Sequence, residues 1–432
     1  MDLGNYFRDD VNEPDAMARF AAAYIFRQRL KDDPKMERLG VKPQRAYIIR
    51  SIKRPEEIRF LRAVYGDALA VLGVHTREDR LRDELTWRVS KSAVDTGPPD
   101  QFRPLAETLI ARDQREGRLE WRWGQRLSDA FPLADVYFDA SQPARLKRSI
   151  SRFVSLYFGY QFHTPTRAEY SMYHAYGAAM RSADLSRQVG AAIVDDDGEV
   201  VALGCNEVPK GGGGLYWEDA EDLEDGRDFT FGRDTSSDIK RAAVAQLYER
   251  LRRANLLAAA TTVDQVSEEV QGIDLMNTGE FGRAVHAEMA AISHAARRGR
   301  SVQGCRLYTT TFPCQVCARH ILAAGIKTVV YNEPYPKSLA RYLHSDSILM
   351  GREGDGQTVG FVPFDGVASP LYADLFRSPS SKWRKTEEGE IPHWNKATAT
   401  PRRYGHPYLY VAHEAYALKS LVDSLKPKGL GI

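Results

Sequence analysis

Two short segments of this chain constrain it most, because they supply one set of metal donors: His286-Ala287-Glu288 and Pro313-Cys314-Gln315-Val316-Cys317. An imidazole and two thiolates suit zinc, and cysteines two residues apart have ligand spacing. Both segments read as helix openings. His286 and Glu288 begin an apolar stretch, Val285 to Arg298. A proline just ahead of Cys314 suits a first helical turn, where free N–H groups and the dipole favour thiolates. Strands are expected at Arg306 to Thr310 and Thr328 to Tyr331, with a helix from Gln315 to Ala324 between them.

Taken alone, C-x-x-C also fits a redox pair or half of a zinc ribbon. The remaining cysteines, Cys205 and Cys305, stand singly, so a ribbon lacks its second pair, and a redox pair has no use for H-x-E upstream. The order H-x-E…P-C-x-x-C resembles the zinc deaminases. The resemblance implies Zn2+ held by His286, Cys314 and Cys317, with Glu288 as the catalytic proton carrier. In that chemistry water adds to an amine-bearing ring carbon and the amine leaves as ammonia. Three protein ligands with one open position lower the pKa of bound water to roughly 7, and a carboxylate that is not a ligand moves the protons.

The chain has 432 residues, 43% of them hydrophobic, which is enough for two domains. Its 60 Lys and Arg against 58 Asp and Glu give a net charge of +2, so no general electrostatic pull toward nucleic acid or a membrane is expected. No run approaches the ~20 apolar residues of a membrane span, and no signal peptide is evident. Four cysteines are too few for a disulfide framework. A cytoplasmic protein is expected.

The first part alternates helical and strand-like patterns, as an α/β layer does. Helices are expected at Phe20 to Leu30 and Glu56 to Val64, and strands at Ala46 to Ile49 and Ala68 to Val74. Arg77, Arg80 and Arg82 read either as a phosphate-facing lid or as a solvated helix face. No G-x-x-x-x-G-K-[ST] loop exists: Gly211 to Gly214 follow Lys210, and Gly351, Gly354 and Gly356 lack the lysine. Arg50 stands where a magnesium-binding acid would end the Ala46 strand, so no NTP hydrolysis is expected.

In the second part Glu169 to Ala183 reads as a helix. Val189 to Asp195 and Val200 to Asn206 read as a hairpin turning at Asp196-Asp197-Gly198. An insertion, Gly211 to Gly282, is glycine-rich and acidic, then helical from Asp238 to Asn255. It holds no cysteine or histidine for a second zinc. The last ~70 residues mix basic and aromatic side chains. That mixture suits single-strand binding, but packing over the core or between subunits is the stronger expectation.

From about Tyr170 to Ser347 the chain resembles the deoxycytidylate deaminase family, through Ser186-Arg187-Gln188-Val189-Gly190-Ala191 and Gly204-Cys205-Asn206-Glu207-Val208-Pro209. The longer segments Arg181 to Gln188, Gly282 to Glu288, Thr310 to Cys314 and Glu333 to Ser338 resemble the bacterial anti-phage dCTP deaminases. That resemblance implies a three-layer α/β/α cytidine-deaminase-like domain preceded by a smaller α/β P-loop-kinase-like domain. The latter is degenerate here, lacking the phosphate loop. Boundaries are expected at 1–150, 151–370 and 371–432, the last an extension packing on the core or a subunit interface.

The resemblance implies deamination of dCTP, dCMP or both, depleting dCTP during phage attack. A housekeeping dCMP deaminase with an extra domain and a polynucleotide editor are the alternatives. For the substrate it implies Asn206 on the sugar hydroxyl, and Thr310 with Tyr335 or Tyr331 near the base. Arg187, Lys210 and Lys337 would meet the phosphates, and Mg2+ would accompany a triphosphate. A homo-oligomer, in particular a hexamer, and an inhibitory small RNA are also implied.

Overall fold

The computed structural model describes residues 1–41, 45–92, 98–116, 122–219, 224–270, 273, 281–334, 338–380 and 383–425. Packing divides the chain into two units: Tyr170–Phe364, and a second built from Met1–Glu169 together with Asp365–Ile432. The division thus falls near 170 and 365 rather than at 150 and 370, and the C-terminal segment joins the first unit. Nine strands are described: β1 (Leu72–His75), β2 (Val136–Asp139), β3 (Gly190–Val194), β4 (Val200–Cys205), β5 (Arg306–Thr311), β6 (Thr328–Glu333), β7 (Ile348–Met350), β8 (Val359–Pro363) and β9 (Gly366–Val367). No helix among the described residues is long and apolar enough to cross a membrane.

In the 170–364 unit six strands form one sheet in the order β4-β3-β5-β6-β8-β7. The expected hairpin is β3–β4, and β3 also runs antiparallel to β5. From β5 through β6 and β8 to β7 the neighbours are parallel. Parallel strands need helical crossovers and end up buried on both faces. Accordingly Ile193, Leu307, Val329 and Phe361 are fully buried in one core with Ala291 and Ile321.

Two glycines show how the helices reach the sheet. Gly204 pairs with Ala191, and Gly190 is the next residue along β3, so the two glycines face opposite sides. A methyl group at Gly190 would lie 1.9 Å from the carbonyl oxygen of Ala175, in helix Arg167–Ala179. At Gly204 it would lie 2.2 Å from the carbonyl oxygen of Ala287, in helix Ala287–Arg297. The two helices therefore cover opposite faces, which makes the unit a three-layer α/β/α sandwich.

The insertion holds the expected helix as Thr235–Arg253, capped by Asp234, whose carboxylate accepts the N–H groups of Ser236 and Ser237. A shorter helix, Val263–Glu269, follows with a Thr262 capping box. It lies beyond the one helix expected in this insertion, Asp238 to Asn255.

In the other unit β1 and β2 are parallel and β9 joins β2 antiparallel. The expected helices appear as Ala16–Asp32 and Pro55–Tyr65. The strand expected at Ala46 to Ile49 does not form: this stretch has no ladder, Ile48 is 85% exposed, and Tyr47 instead lies under the Arg29 guanidinium. Helix Pro407–Leu425 packs through Leu421 and Leu425 on Ala16 and Ala23 of helix Ala16–Asp32. A buried Arg29–Glu414 ion pair at 2.7 Å closes that contact. The Trp394 indole N–H donates to the Phe158 carbonyl at 2.9 Å, so this aromatic packs within the unit, while Tyr404 and Tyr408 are exposed. Arg77 pairs with Asp79 and Arg82 with Glu107, so two of the three arginines at helix Glu78–Ser92 are engaged along its surface.

Candidate active site

Both candidate metal-ligand segments are helix starts. His286 is the N-cap of helix Ala287–Arg297, and Cys314 is the N-cap of helix Gln315–Ala323. The first start is fixed by Val285, which exchanges two backbone hydrogen bonds with Glu207 just beyond β4. The second is fixed by Phe312, whose N–H donates to the Glu333 carbonyl at 2.8 Å, tying the end of β5 to β6. The Cys314 sulfur accepts the Cys317 N–H at 3.5 Å, as a capping side chain does.

The imidazole and the sulfurs converge. Cys314 Sγ lies 3.3 Å and Cys317 Sγ 3.4 Å from His286 Nδ1, and all three donor atoms lie within 4.8 Å of one another. A tetrahedral zinc with N and S ligands at about 2.0 and 2.3 Å spaces those two atoms by about 3.5 Å, so the donor set and its spacing fit the ion. The cysteines are free thiols, not a disulfide. Glu288, 4% exposed, brings Oε2 to 3.3 Å from Cys317 Sγ.

The electrostatics follow from this crowding. Hydrogen bonding from Cys317, opposed by burial and aided by His286, brings the Cys314 thiol down to about 4. The Cys314 contact raises His286 to about 9, against burial. Cys317, bonded to Cys314 and buried, is pushed well up. Burial also holds the Glu288 carboxyl above the usual carboxylate range, which suits a group that must both take and give a proton.

Of the other expected residues, Asn206, Thr310 and Arg187 are hydrogen-bonded into the segments around β3, β5 and β6. Asn206 is 6% exposed; its Oδ1 accepts the Val189 N–H and its Nδ2 donates to the Arg187 carbonyl, both at 2.7 Å. Thr310 Oγ1 accepts the Gly190 N–H at 3.1 Å. Arg187 Nη2 donates to Thr311 Oγ1 at 2.9 Å and to Glu333 Oε2 at 2.6 Å. The Tyr331 ring stands edge-on to Phe312 at 4.9 Å, against the core cluster. The Lys210 N–H donates to the Gly214 carbonyl in a turn. Tyr335 and Lys337 lie outside the described residues.

In the acidic opening of the insertion, Arg227 pairs with Glu218 and Asp225, and Arg283 pairs with Asp228. Two acids stand near the site without an expected role of their own, although both lie in segments that carry the resemblance, Arg181 to Gln188 and Glu333 to Ser338. Asp184 adds negative charge near His286, and Glu333 holds Arg187. The closing of β5 on β6 is what brings Glu333 to Arg187.

The profile of the cytidine and deoxycytidylate deaminase zinc-binding region matches residues 165–333. That span contains all four converging side chains. Residues 165–333 are similar to the cytidine and deoxycytidylate deaminases through this zinc-binding region. The chain is 48% identical over 54 residues to the deoxycytidylate deaminase of Enterobacteria phage T4, 12% of this chain and 28% of that protein. It is 28% identical over 163 residues to the deoxycytidylate deaminase of Homo sapiens, 38% of this chain and 62% of that protein. The chain thus spans less than two thirds of the length of these relatives. The solved dCMP deaminase of cyanophage S-TIM5, in complex with dCMP and dUMP, aligns with 46% of this chain and 98% of that chain at 20% identity and a TM-score of 0.27.

Proposed function

We propose that the protein is a zinc-dependent hydrolase that deaminates free deoxycytidine nucleotides, dCTP, dCMP or both. The observation that carries this reading is the convergence of His286 Nδ1, Cys314 Sγ and Cys317 Sγ with the Glu288 carboxyl packed beside them. His286, Cys314 and Cys317 would hold the ion. When bound, zinc supplies a Lewis acid that brings water to a reactive state near neutral pH. Glu288 accepts the proton of the attacking water as its oxygen bonds to the amine-bearing ring carbon. Glu288 then returns a proton to the amine nitrogen; the C–N bond breaks and ammonia leaves. The buried position of Glu288 keeps its carboxyl from being levelled by bulk water.

Recognition of the nucleotide falls to Asn206 for the sugar, Thr310 with Tyr331 or Tyr335 for the base, and Arg187, Lys210 and Lys337 for phosphate, with Mg2+ accompanying a triphosphate. The resemblance through Arg181 to Gln188 and Glu333 to Ser338 extends the reading to dCTP depletion in anti-phage defence, a cytoplasmic homo-oligomer and an inhibitory small RNA. The parallel β1–β2 pair, each strand followed by a helix, supports a P-loop-kinase-like ancestry for the N-terminal unit.

Zinc-loaded protein is incubated with dCTP, dCMP, deoxycytidine and single-stranded DNA and RNA, and the products are resolved. Conversion of dCTP or dCMP to the deoxyuridine nucleotide is expected. Turnover of dCMP alone would return the chain to the housekeeping class. Faster turnover of a polynucleotide would replace the free-nucleotide reading. Light scattering and RNA extraction test the oligomer and the regulator.

A further inference from the structure

We infer that Glu333, paired with Thr311, is a positioning residue that sets the Arg187 guanidinium to receive the 5′-phosphate of the substrate. The inference rests on the nucleotide deaminase reading above and deepens it. It starts from how Arg187 is bonded. One terminal nitrogen, Nη2, makes both anchoring bonds, 2.9 Å to Thr311 Oγ1 and 2.6 Å to Glu333 Oε2. Nε and Nη1 take no partner among the described residues. The guanidinium is planar and rigid, so fixing one corner fixes the direction of the remaining donors. Nη1, whose two hydrogens are both unengaged among the described residues, can then donate charge-assisted bonds to a phosphate oxygen.

The anchor is built on rigid elements. Thr311 and Glu333 are register partners on adjacent parallel strands, β5 and β6. The Arg187 carbonyl is held from behind by Asn206 Nδ2 at 2.7 Å. The side chain of Arg187 is 44% exposed and that of Glu333 36%, so the free corner faces a place a charged group can reach from water.

The placement also suits the reaction. Thr311 precedes Cys314 by three residues, so their Cα atoms are at most about 11 Å apart. That span is comparable with the reach from the reacting ring carbon to the 5′-phosphate of a nucleotide. An ordinary half-exposed ion pair contributes little to stability. A pair that merely braced the fold would weaken all substrates alike on removal, whereas a pair that aims Arg187 acts on the phosphorylated one.

The experiment compares dCMP with deoxycytidine, which lacks the phosphate, in wild-type, Arg187→Ala, Glu333→Ala and Glu333→Gln full-length zinc protein. Arg187→Ala is expected to lower the dCMP to deoxycytidine ratio of kcat/KM by about tenfold or more, through KM for dCMP. Glu333→Ala should lower the ratio roughly three- to tenfold, again through KM rather than kcat. Glu333→Gln, whose amide oxygen still accepts from Nη2, should recover most of that loss. A Glu333→Ala ratio equal to wild type, or a Glu333→Gln loss as large as that of Glu333→Ala, overturns the positioning role while leaving the deaminase reading standing. A wild-type protein that converts neither dCMP nor dCTP overturns that reading, and the role of Glu333 with it.

Discussion

Gly204→Ala should damage the metal site from behind. A methyl group there would stand 2.2 Å from the Ala287 carbonyl oxygen and 2.4 Å from the Ala291 nitrogen. Both are backbone atoms of helix Ala287–Arg297, so no side-chain rotation relieves the clash. Ordinary contact begins near 3.4 Å, so β4 and the helix must part by about 1 Å. The helix carries His286 at its cap and Glu288 in its first turn, whereas Cys314 and Cys317 belong to another helix and stay behind. Overpacking of this size costs about 1–3 kcal/mol, and a 1 Å misplacement of catalytic groups costs on the order of 100-fold in rate. The expected result is a folded variant with a modestly lowered urea midpoint, substoichiometric zinc by elemental analysis, and turnover of the proposed nucleotide substrate reduced about 100-fold. As a control, Gly177 is an exposed helical position with nothing within 4 Å of its added methyl, so Gly177→Ala should gain about 0.5–1 kcal/mol. Full zinc occupancy together with wild-type turnover in Gly204→Ala would refute the coupling between this sheet contact and the site.

Glu288→Ala should keep stoichiometric zinc, because Glu288 is not among the three donors, and lose about 10²–10⁴ in turnover; a zinc-replete variant at wild-type rate would remove the proton-carrier role. Glu414→Ala leaves the Arg29 guanidinium buried without its partner and should cost about 3–5 kcal/mol in urea unfolding; Arg29→Met combined with Glu414→Leu should recover most of it, and a single variant as stable as wild type would contradict the burial argument. Asp234→Ala removes the cap of helix Thr235–Arg253 and should cost about 1 kcal/mol, seen as faster amide exchange in that helix. The Ser237 hydroxyl, helped by the Ser236 and Ser237 N–H groups and opposed by burial, holds the Asp234 carboxyl below its ordinary value. The cap is therefore at full strength above the unfolded-state pKa and is lost as pH falls through the lower folded-state value. Amide protection factors in this helix that stay constant as pH falls below the ordinary carboxylate range would exclude the charged cap.

The central elements of the 170–364 unit were legible because their signals are local. Turn residues Asp196 to Gly198 mark the hairpin, Pro313 and the thiols mark a helix start, and buried parallel strands read as continuous apolar runs. The failures share a cause as well. Ala46 to Ile49 has the composition of a strand, but strand formation needs a neighbour to pair with, and the Arg29 guanidinium takes Tyr47 instead. The helix Pro407–Leu425 is not among the expected elements, and its place in the N-terminal unit depends on Leu421 meeting Ala16 and Ala23, some 400 positions away. No local pattern encodes that pairing.

The same division holds within the site. His286, Glu288, Cys314 and Cys317 could be found from spacing because each sits at a helix start, where capping residues and proline leave a trace in sequence. Arg187 could be suspected from its charge, yet what makes it directional is Glu333, brought alongside by the register of β5 on β6. Gly204 is likewise silent in sequence, and its importance appears only when the Ala287 carbonyl is found against it. Ligand identity is thus written locally, whereas ligand alignment depends on strand register and helix approach. Substitutions at Gly204 and Glu333 probe that second layer, and they do so without altering any of the three metal donors or Glu288.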